Sequence, residues 1–236
     1  MKKRKDFTFK KFVIAQEKVA MPVTTDACIF GAFAAFNNGD NILDIGAGTG
    51  VLSLMLAQRY PLSAITAIEI DEESYLCCKN NFSNSTFKYR LEIENIAIEN
   101  FVADRKFGGL IWNPPFFENQ LNALHPPKNL ARHTGELRYG AMPEIIDRFL
   151  ADNGRAWVLV PQLHKTMFLQ LCLKQGFSVK SLVSIQANEG KPAHLWMVEL
   201  VKTACVLHTQ AIVTYTQAGD YTNELKKLLQ DFYVGL

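Results

Sequence analysis

Nowhere in the 236 residues does an apolar run approach the roughly 20 residues that a membrane-spanning helix needs. The start is basic, with no apolar core behind the charges of the kind a secretion signal carries. The expectation is a cytoplasmic protein with no membrane partner. The five cysteines show no C-x-x-C spacing. The five histidines form neither an i, i+4 pair nor a ligand-like cluster. Reduced thiols and no metal follow. There is no internal repeat, no low-complexity linker and no strong charge imbalance, the formal net charge being +2. The Gly-Lys-Ser/Thr of a P-loop is absent, and so is the G-x-G-x-x-G of a dinucleotide site.

What is present is ordinary for a globular α/β chain: 48% hydrophobic, 20% charged, with 14 Gly and 9 Pro. The exception is the start. Lys2, Lys3, Arg4, Lys5, Lys10 and Lys11 crowd together with Asp6 as the only acid, interleaved with Phe7, Phe9 and Phe12. This is a basic, aromatic arm that packs on the domain rather than a plain solvated tail, and Phe7 to Val13 is either a short strand or part of that arm. We place the arm at residues 1–26 and one domain at 27–236. After the turn Met21 to Asp26, Thr25 or Asp26 caps a buried helix, Ala27 to Phe36.

Asn41 to Gly50 then reads as a buried strand running into the turn Asp44-Ile45-Gly46-Ala47-Gly48-Thr49-Gly50, with an amphipathic helix from Val51 to Tyr60 behind it. Strand, G-x-G-x-G turn and helix form the ligand loop of a doubly wound sheet. Asp44 just before the turn favours a cationic ligand group over phosphate, which suits the amino-acid end of S-adenosylmethionine. A second strand, Ser63 to Ile70, ends at Glu69, about 20 residues past the turn, where this fold holds ribose hydroxyls. Asp71 caps a helix from Glu72 that Asn80-Asn81 closes. Strands follow at Arg90 to Ile93 and Phe107 to Trp112.

The latter delivers Asn113-Pro114-Pro115-Phe116-Phe117. Proline rigidifies the backbone and removes its N–H, so the elbow presents the Asn113 amide oxygen and a bare carbonyl as acceptors, with a ring next to them. Two aimed acceptors and a stacking face suit a planar group bearing –NH2, an adenine or a carboxamide. Downstream, Gln120 to Leu137 reads as a loop in which Arg132, His133 and Arg138 are RNA-phosphate ligands or plain surface charges. Then come a helix (Met142 to Leu150), a turn at Asn153-Gly154, a strand (Arg155 to Val160), a helix (Gln162 to Gln175), two antiparallel strands (Phe177 to Gln186, His194 to Lys202), a further strand (Ala204 to Tyr215) and a terminal helix (Tyr221 to Phe232). The fold class is α/β: a doubly wound, mostly parallel seven-stranded sheet with an antiparallel C-terminal strand.

Asp44 to Gly50, Glu69 and Asn113-Pro114-Pro115-Phe116 together resemble the amino-group-modifying branch of class I S-adenosylmethionine-dependent methyltransferases. Phe7-x-Phe9-Lys10-x-Phe12, Met21-x-Val23-x-Thr25-Asp26 and Ala131-Arg132-His133 are similar to the bacterial valine-tRNA adenine-N6 methyltransferases, which modify the adenine beside the anticodon. The resemblance implies that Asp44, Gly46, Gly48, Gly50 and Glu69 hold S-adenosylmethionine, with Thr25 and Asn95 on the cofactor side. It implies that Asn113 and Pro114 hold the target amino group and that Phe116 stacks on the base. Lys2, Lys3, Arg4, Lys5, Lys10, Lys11 and Arg132 would contact the tRNA, and the enzyme would act as a monomer. Two positions depart from the family: Ala97 stands where relatives carry an acid for the cofactor adenine, leaving Asn95 as substitute, and Phe116 replaces a frequent tyrosine. Methylation of protein glutamine, methylation of DNA adenine, and a non-catalytic RNA-binding scaffold are the alternatives.

Overall fold

The computed structural model describes residues 5–17, 19, 21–114 and 128–236, and for 128–138 the backbone alone. The arm forms a hairpin of two short antiparallel strands, β1 (Phe7–Thr8) and β2 (Val13–Ile14). Its aromatics are core, not tail: Phe9 and Phe12 are buried, stack at 4.5 Å, and Ile14 is fully enclosed. Helix α1 (Thr25–Phe33) follows. Thr24 caps it by accepting from the Ala27 N–H, so neither Thr25 nor Asp26 is the cap.

Next come β3 (Asn41–Ile45), α2 (Val51–Arg59), β4 (Ala64–Glu69), α3 (Glu72–Ser83), β5 (Leu91–Asn95) and β6 (Phe107–Trp112). The rest of the chain is α4 (Lys128–Phe149), β7 (Leu150–Pro161), α5 (Lys165–Lys174), β8 (Ser178–Asn188), β9 (Ala193–Val201), β10 (His208–Tyr215) and α6 (Asn223–Leu229). The main sheet has the order β10-β8-β9-β7-β6-β3-β4-β5. Among the described residues it has eight strands, not seven, and the antiparallel one is β9, between β8 and β7. The last strand, β10, adds parallel to β8 at the edge.

Two hydrophobic layers sandwich the sheet. Arm, α1, α2, α3 and α6 share one, including Phe30, Leu54, Met55, Phe82 and Leu229. Helices α4 and α5 share the other with Trp112, Met142, Ile146 and Phe168. Three local expectations fail for tertiary reasons. Residues 128–137 are helical rather than loop, because Tyr139, Met142, Ile146 and Phe149 form a buried stripe that anchors the whole of α4. Asn80-Asn81 does not end α3, since Asn81 is buried with partners of its own. Asn153-Gly154 stays within β7, where a register shift against Phe107 and Gly109 absorbs the turn residues.

The strand order sets the position of the site. From β3 the chain winds outward to β4 and β5, then crosses back to place β6 on the other side of β3. Such a reversal is a topological switch point, and in open α/β sheets ligands bind outside the carboxyl ends of the strands there, in this fold those of β3 and β6. Ile45 and Trp112 are register partners, so the glycine turn and the elbow leave the sheet side by side, about 5 Å apart.

Candidate functional site

Asp44 is fully buried near the end of β3. Its Oδ2 accepts from Ser53 Oγ on α2 at 2.6 Å, while its Oδ1 has no partner among the described residues. Burial pushes the carboxyl up to about 7; the Ser53 bonds oppose that shift, and the charge of Glu69 adds to it. Gly46, Gly48 and Gly50 all have positive φ, at 70°, 56° and 80°, a sequence of left-handed residues that only glycine adopts cheaply. A Cβ on Gly46 or Gly48 would meet none of the described residues within 4 Å, so toward these the two border open space. At Gly50 it would lie 2.6 Å from Cys78 Sγ and Phe82 Cε1, so α3 closes on that side.

The tip of β4 holds the turn. The Gly46 and Ala47 N–H groups donate to the Ile68 carbonyl at 2.9 and 3.0 Å, and the Gly48 N–H donates to Glu69 Oε2 at 2.8 Å. Glu69 Oε1 accepts from the Asp71 N–H at 2.9 Å, and Asp71 caps α3 through Ser74. Each Glu69 oxygen retains a lone pair for a further donor. Asn95, exposed at the tip of β5, donates through Nδ2 to the carbonyls of Glu69 and Ile70 at 2.8 and 3.2 Å. Its amide therefore ties two strand tips together and leaves its oxygen outward. Beside it Ile70 is 71% exposed, an apolar side chain at the strand tip. Neither Ile70 nor Ser53 carries a motif of its own, although Ile70 directly follows the acid and Ser53 lies in the first turn of the helix behind the glycines.

On the other side of the switch point, Pro114 is buried and Asn113 half-buried. The Asn113 Oδ1 is enclosed and has no hydrogen-bond partner among the described residues. An orphaned acceptor in this position costs free energy unless a ligand donor satisfies it. Phe116 lies outside the described residues, as do Lys2, Lys3 and Arg4. Arg132 falls in α4, where the backbone alone is described. Lys5, Lys10 and Lys11 are exposed, and Lys10 Nζ donates to the Gln230 carbonyl at 2.6 Å. Thr25 opens α1, and its hydroxyl lies 3.4 Å from Tyr221 Oη. Among the described residues no three His, Cys, Asp or Glu side chains gather as metal ligands, and no helix is long and apolar enough to cross a membrane.

The site fits S-adenosylmethionine. An unpaired buried acid oxygen, an open glycine edge, a carboxylate with spare lone pairs and an exposed apolar face match, in order, an ammonium, a backbone-like chain, a diol and a purine. Known proteins agree. Residues 31–138 match the family model "Methyltransferase small domain". A tRNA1(Val) (adenine(37)-N6)-methyltransferase of Vibrio vulnificus is 36% identical, with 98% of this chain and 97% of that protein aligned. One of the same description from Pedobacter heparinus is 35% identical, over 97% of each chain. Among solved structures, a predicted O-methyltransferase of Agrobacterium tumefaciens superposes with a TM-score of 0.68 at 15% identity, covering 87% of this chain and 95% of that one. The glycopeptide N-methyltransferase MtfA complexed with S-adenosylmethionine gives 0.54 at 12% identity, over 76% of this chain and 87% of its own. With a switch point in the sheet, a glycine turn at its edge and near-complete alignment to curated relatives, the chain belongs to the family of the tRNA1(Val) (adenine(37)-N6)-methyltransferases.

Proposed function

We propose that the protein methylates the exocyclic N6 of an anticodon-loop adenine in valine tRNA. The observation that carries this reading is the buried Oδ1 of Asn113, without a partner among the described residues, at the switch point beside the glycine turn. Bound S-adenosylmethionine supplies an electrophilic methyl group. Asp44 takes the ligand ammonium, Gly46 and Gly48 leave room for its chain, Glu69 accepts from the ribose hydroxyls, and Ile70 with Asn95 borders its purine.

A conjugated amino group is a poor nucleophile because its lone pair is delocalised into the ring. Asn113 Oδ1 and the Pro114 carbonyl each accept one N6–H, which favours a tetrahedral nitrogen whose lone pair points at the methyl. This is preorganised electrostatics and orientation without a titrating base. As the N–C bond forms, the bond between the methyl and the sulfonium breaks and its electron pair stays with the departing thioether, while one N6 proton becomes acidic and leaves to water. Phe116 stacks on the extruded base, which suits a loop purine that unstacks easily. Residues 1–26 act as the RNA-facing arm of a 27–236 catalytic domain, with Lys2, Lys3, Arg4, Lys5, Lys10, Lys11 and Arg132 on phosphates. Thr25 supports the cofactor side from α1, and the enzyme works as a cytoplasmic monomer.

The test incubates purified protein with labelled S-adenosylmethionine and total tRNA from cells lacking it, then digests the RNA to nucleosides. Label in N6-methyladenosine is the expected result. Label in a protein fraction and none in RNA would move the assignment to a glutamine side chain, which offers the same –NH2 on a planar group.

A further inference from the structure

Helix α3 carries a polar side chain that no motif singles out. Asn81 is 2% exposed, and its carboxamide is fully engaged. Its Oδ1 accepts from the Ala15 N–H at 2.9 Å, and its Nδ2 donates to the Ala15 carbonyl at 3.0 Å and to the Thr49 carbonyl at 2.9 Å. Cys77 Sγ also donates to the Ala15 carbonyl, at 3.0 Å. Ala15 follows β2 in the N-terminal arm, and Thr49 is the residue between Gly48 and Gly50 in the glycine turn. One neutral side chain therefore links the arm backbone to the turn.

Both ends of this link are anchored. The arm is fixed by buried Phe9, Phe12 and Ile14 and by the Lys10 N–H donating to the Phe232 carbonyl at 2.8 Å. At the other end, α3 reaches the turn because Gly50 has no side chain to hold Cys78 and Phe82 away. The N–H groups of the turn are held from β4 by Ile68 and Glu69. Asn81 supplies the hold on a turn carbonyl from α3. The site uses one acceptor and two donors in a single uncharged planar group; an Asp has no donors, and an apolar residue would take the Asn81 donor from the Thr49 carbonyl and the Asn81 acceptor from the Ala15 N–H, leaving the Ala15 carbonyl to Cys77 alone.

We propose that Asn81 is a positioning residue that sets the conformation of the cofactor turn, and that the arm, through Ala15, is part of the support of the cofactor site as well as an RNA-facing segment. This rests on the assignment of the glycine turn to S-adenosylmethionine. The experiment uses full-length Asn81→Ala, Ala15→Pro and Asp44→Asn. Titration calorimetry gives the S-adenosylmethionine dissociation constant, steady-state turnover on tRNA gives KM and kcat, and a melting curve reports folding.

Asn81→Ala should raise the cofactor dissociation constant and KM about tenfold while kcat at saturating cofactor stays within about twofold. Ala15→Pro, which removes the N–H that Asn81 accepts from, should move both in the same direction. Lower kcat with unchanged KM would mean a smaller folded fraction and no positioning role, and would overturn the proposal. No change in Ala15→Pro would overturn the part assigned to the arm. Asp44→Asn separates the premise from the inference. If Asp44→Asn weakens binding and Asn81→Ala does not, only the role of Asn81 falls; if neither does, the assignment of the turn has failed. Should Asn81→Ala not fold, Asn81→Asp keeps the acceptor, loses both donors and carries the same expectation.

Discussion

Replacing Asn113 with Ala should move activity and stability in opposite directions, and the structure says by how much. In the free protein the Asn113 Oδ1 is enclosed without a partner among the described residues. A buried unsatisfied acceptor costs about 1–3 kcal/mol, so its removal should leave the protein as stable as before or more stable by up to that amount. For a chain of this length each kcal/mol shifts Tm by about 2–4 °C. On the proposed mechanism the same oxygen holds one N6–H as the nitrogen becomes tetrahedral. Loss of one preorganised polar group of this kind costs about 10²–10³ in kcat, or about 2.7–4 kcal/mol. The assay is single-turnover methyl transfer to tRNA at saturating S-adenosylmethionine, with a melting curve and a cofactor titration on the same preparation. The expected outcome is a collapse in rate, an unchanged or raised Tm, and cofactor affinity within about twofold. A rate within about tenfold of the starting protein, or a Tm lower by more than about 5 °C, would refute the reasoning. In the first case the oxygen does not act on the nucleophile; in the second it is a structural acceptor.

Three further outcomes follow from the same geometry. Asp44 sits at about 7 when folded against 3.8 ordinarily, so between those values the unfolded chain binds fewer protons than the native one. Stability of the cofactor-free protein should therefore fall as pH rises from about 4 to about 7 and level off above, while cofactor affinity climbs by at most about tenfold per pH unit up to about 7, because the ligand ammonium selects the ionised acid. Asp44→Asn should flatten both curves in melting and titration series, and an unaltered slope would remove Asp44 from the site. Gly50→Ala combines a φ of +80° with a Cβ 2.6 Å from Cys78 Sγ and Phe82 Cε1, and should cost about 2–4 kcal/mol in urea denaturation. Lys10→Ala with Lys11→Ala should shrink the slope of log affinity for tRNA against log salt by about 0.7–0.9 for each phosphate no longer neutralised, with cofactor binding untouched.

Much of this protein is local and was legible as such. The turn Asp44 to Gly50 declares itself because left-handed backbone at alternate positions demands glycine, and a proline after Asn113 stiffens the elbow whatever surrounds it. Strand–turn–helix order implied the doubly wound sheet, and with it the meeting of turn and elbow at one edge, which the pairing of Ile45 with Trp112 then displays. Other features depend on partners distant in the chain. Asn81 reads as a helix terminator, since its side chain competes with backbone bonds; only the arrival of Ala15 from the arm and Thr49 from the turn turns it into a buried clamp. The helical start of α4 is set by a stripe further along it, and the place of β9 between β7 and β8 is a matter of sheet order that antiparallel patterning alone does not rank. Sequence by itself determined where the glycine turn and the proline-stiffened elbow fall in the chain, because those constraints are covalent and conformational. The tertiary structure decided which of these residues are buried, which acceptors find no partner among the described residues and which helix braces the glycine turn, because burial and hydrogen-bond satisfaction are properties of neighbours that folding brings together.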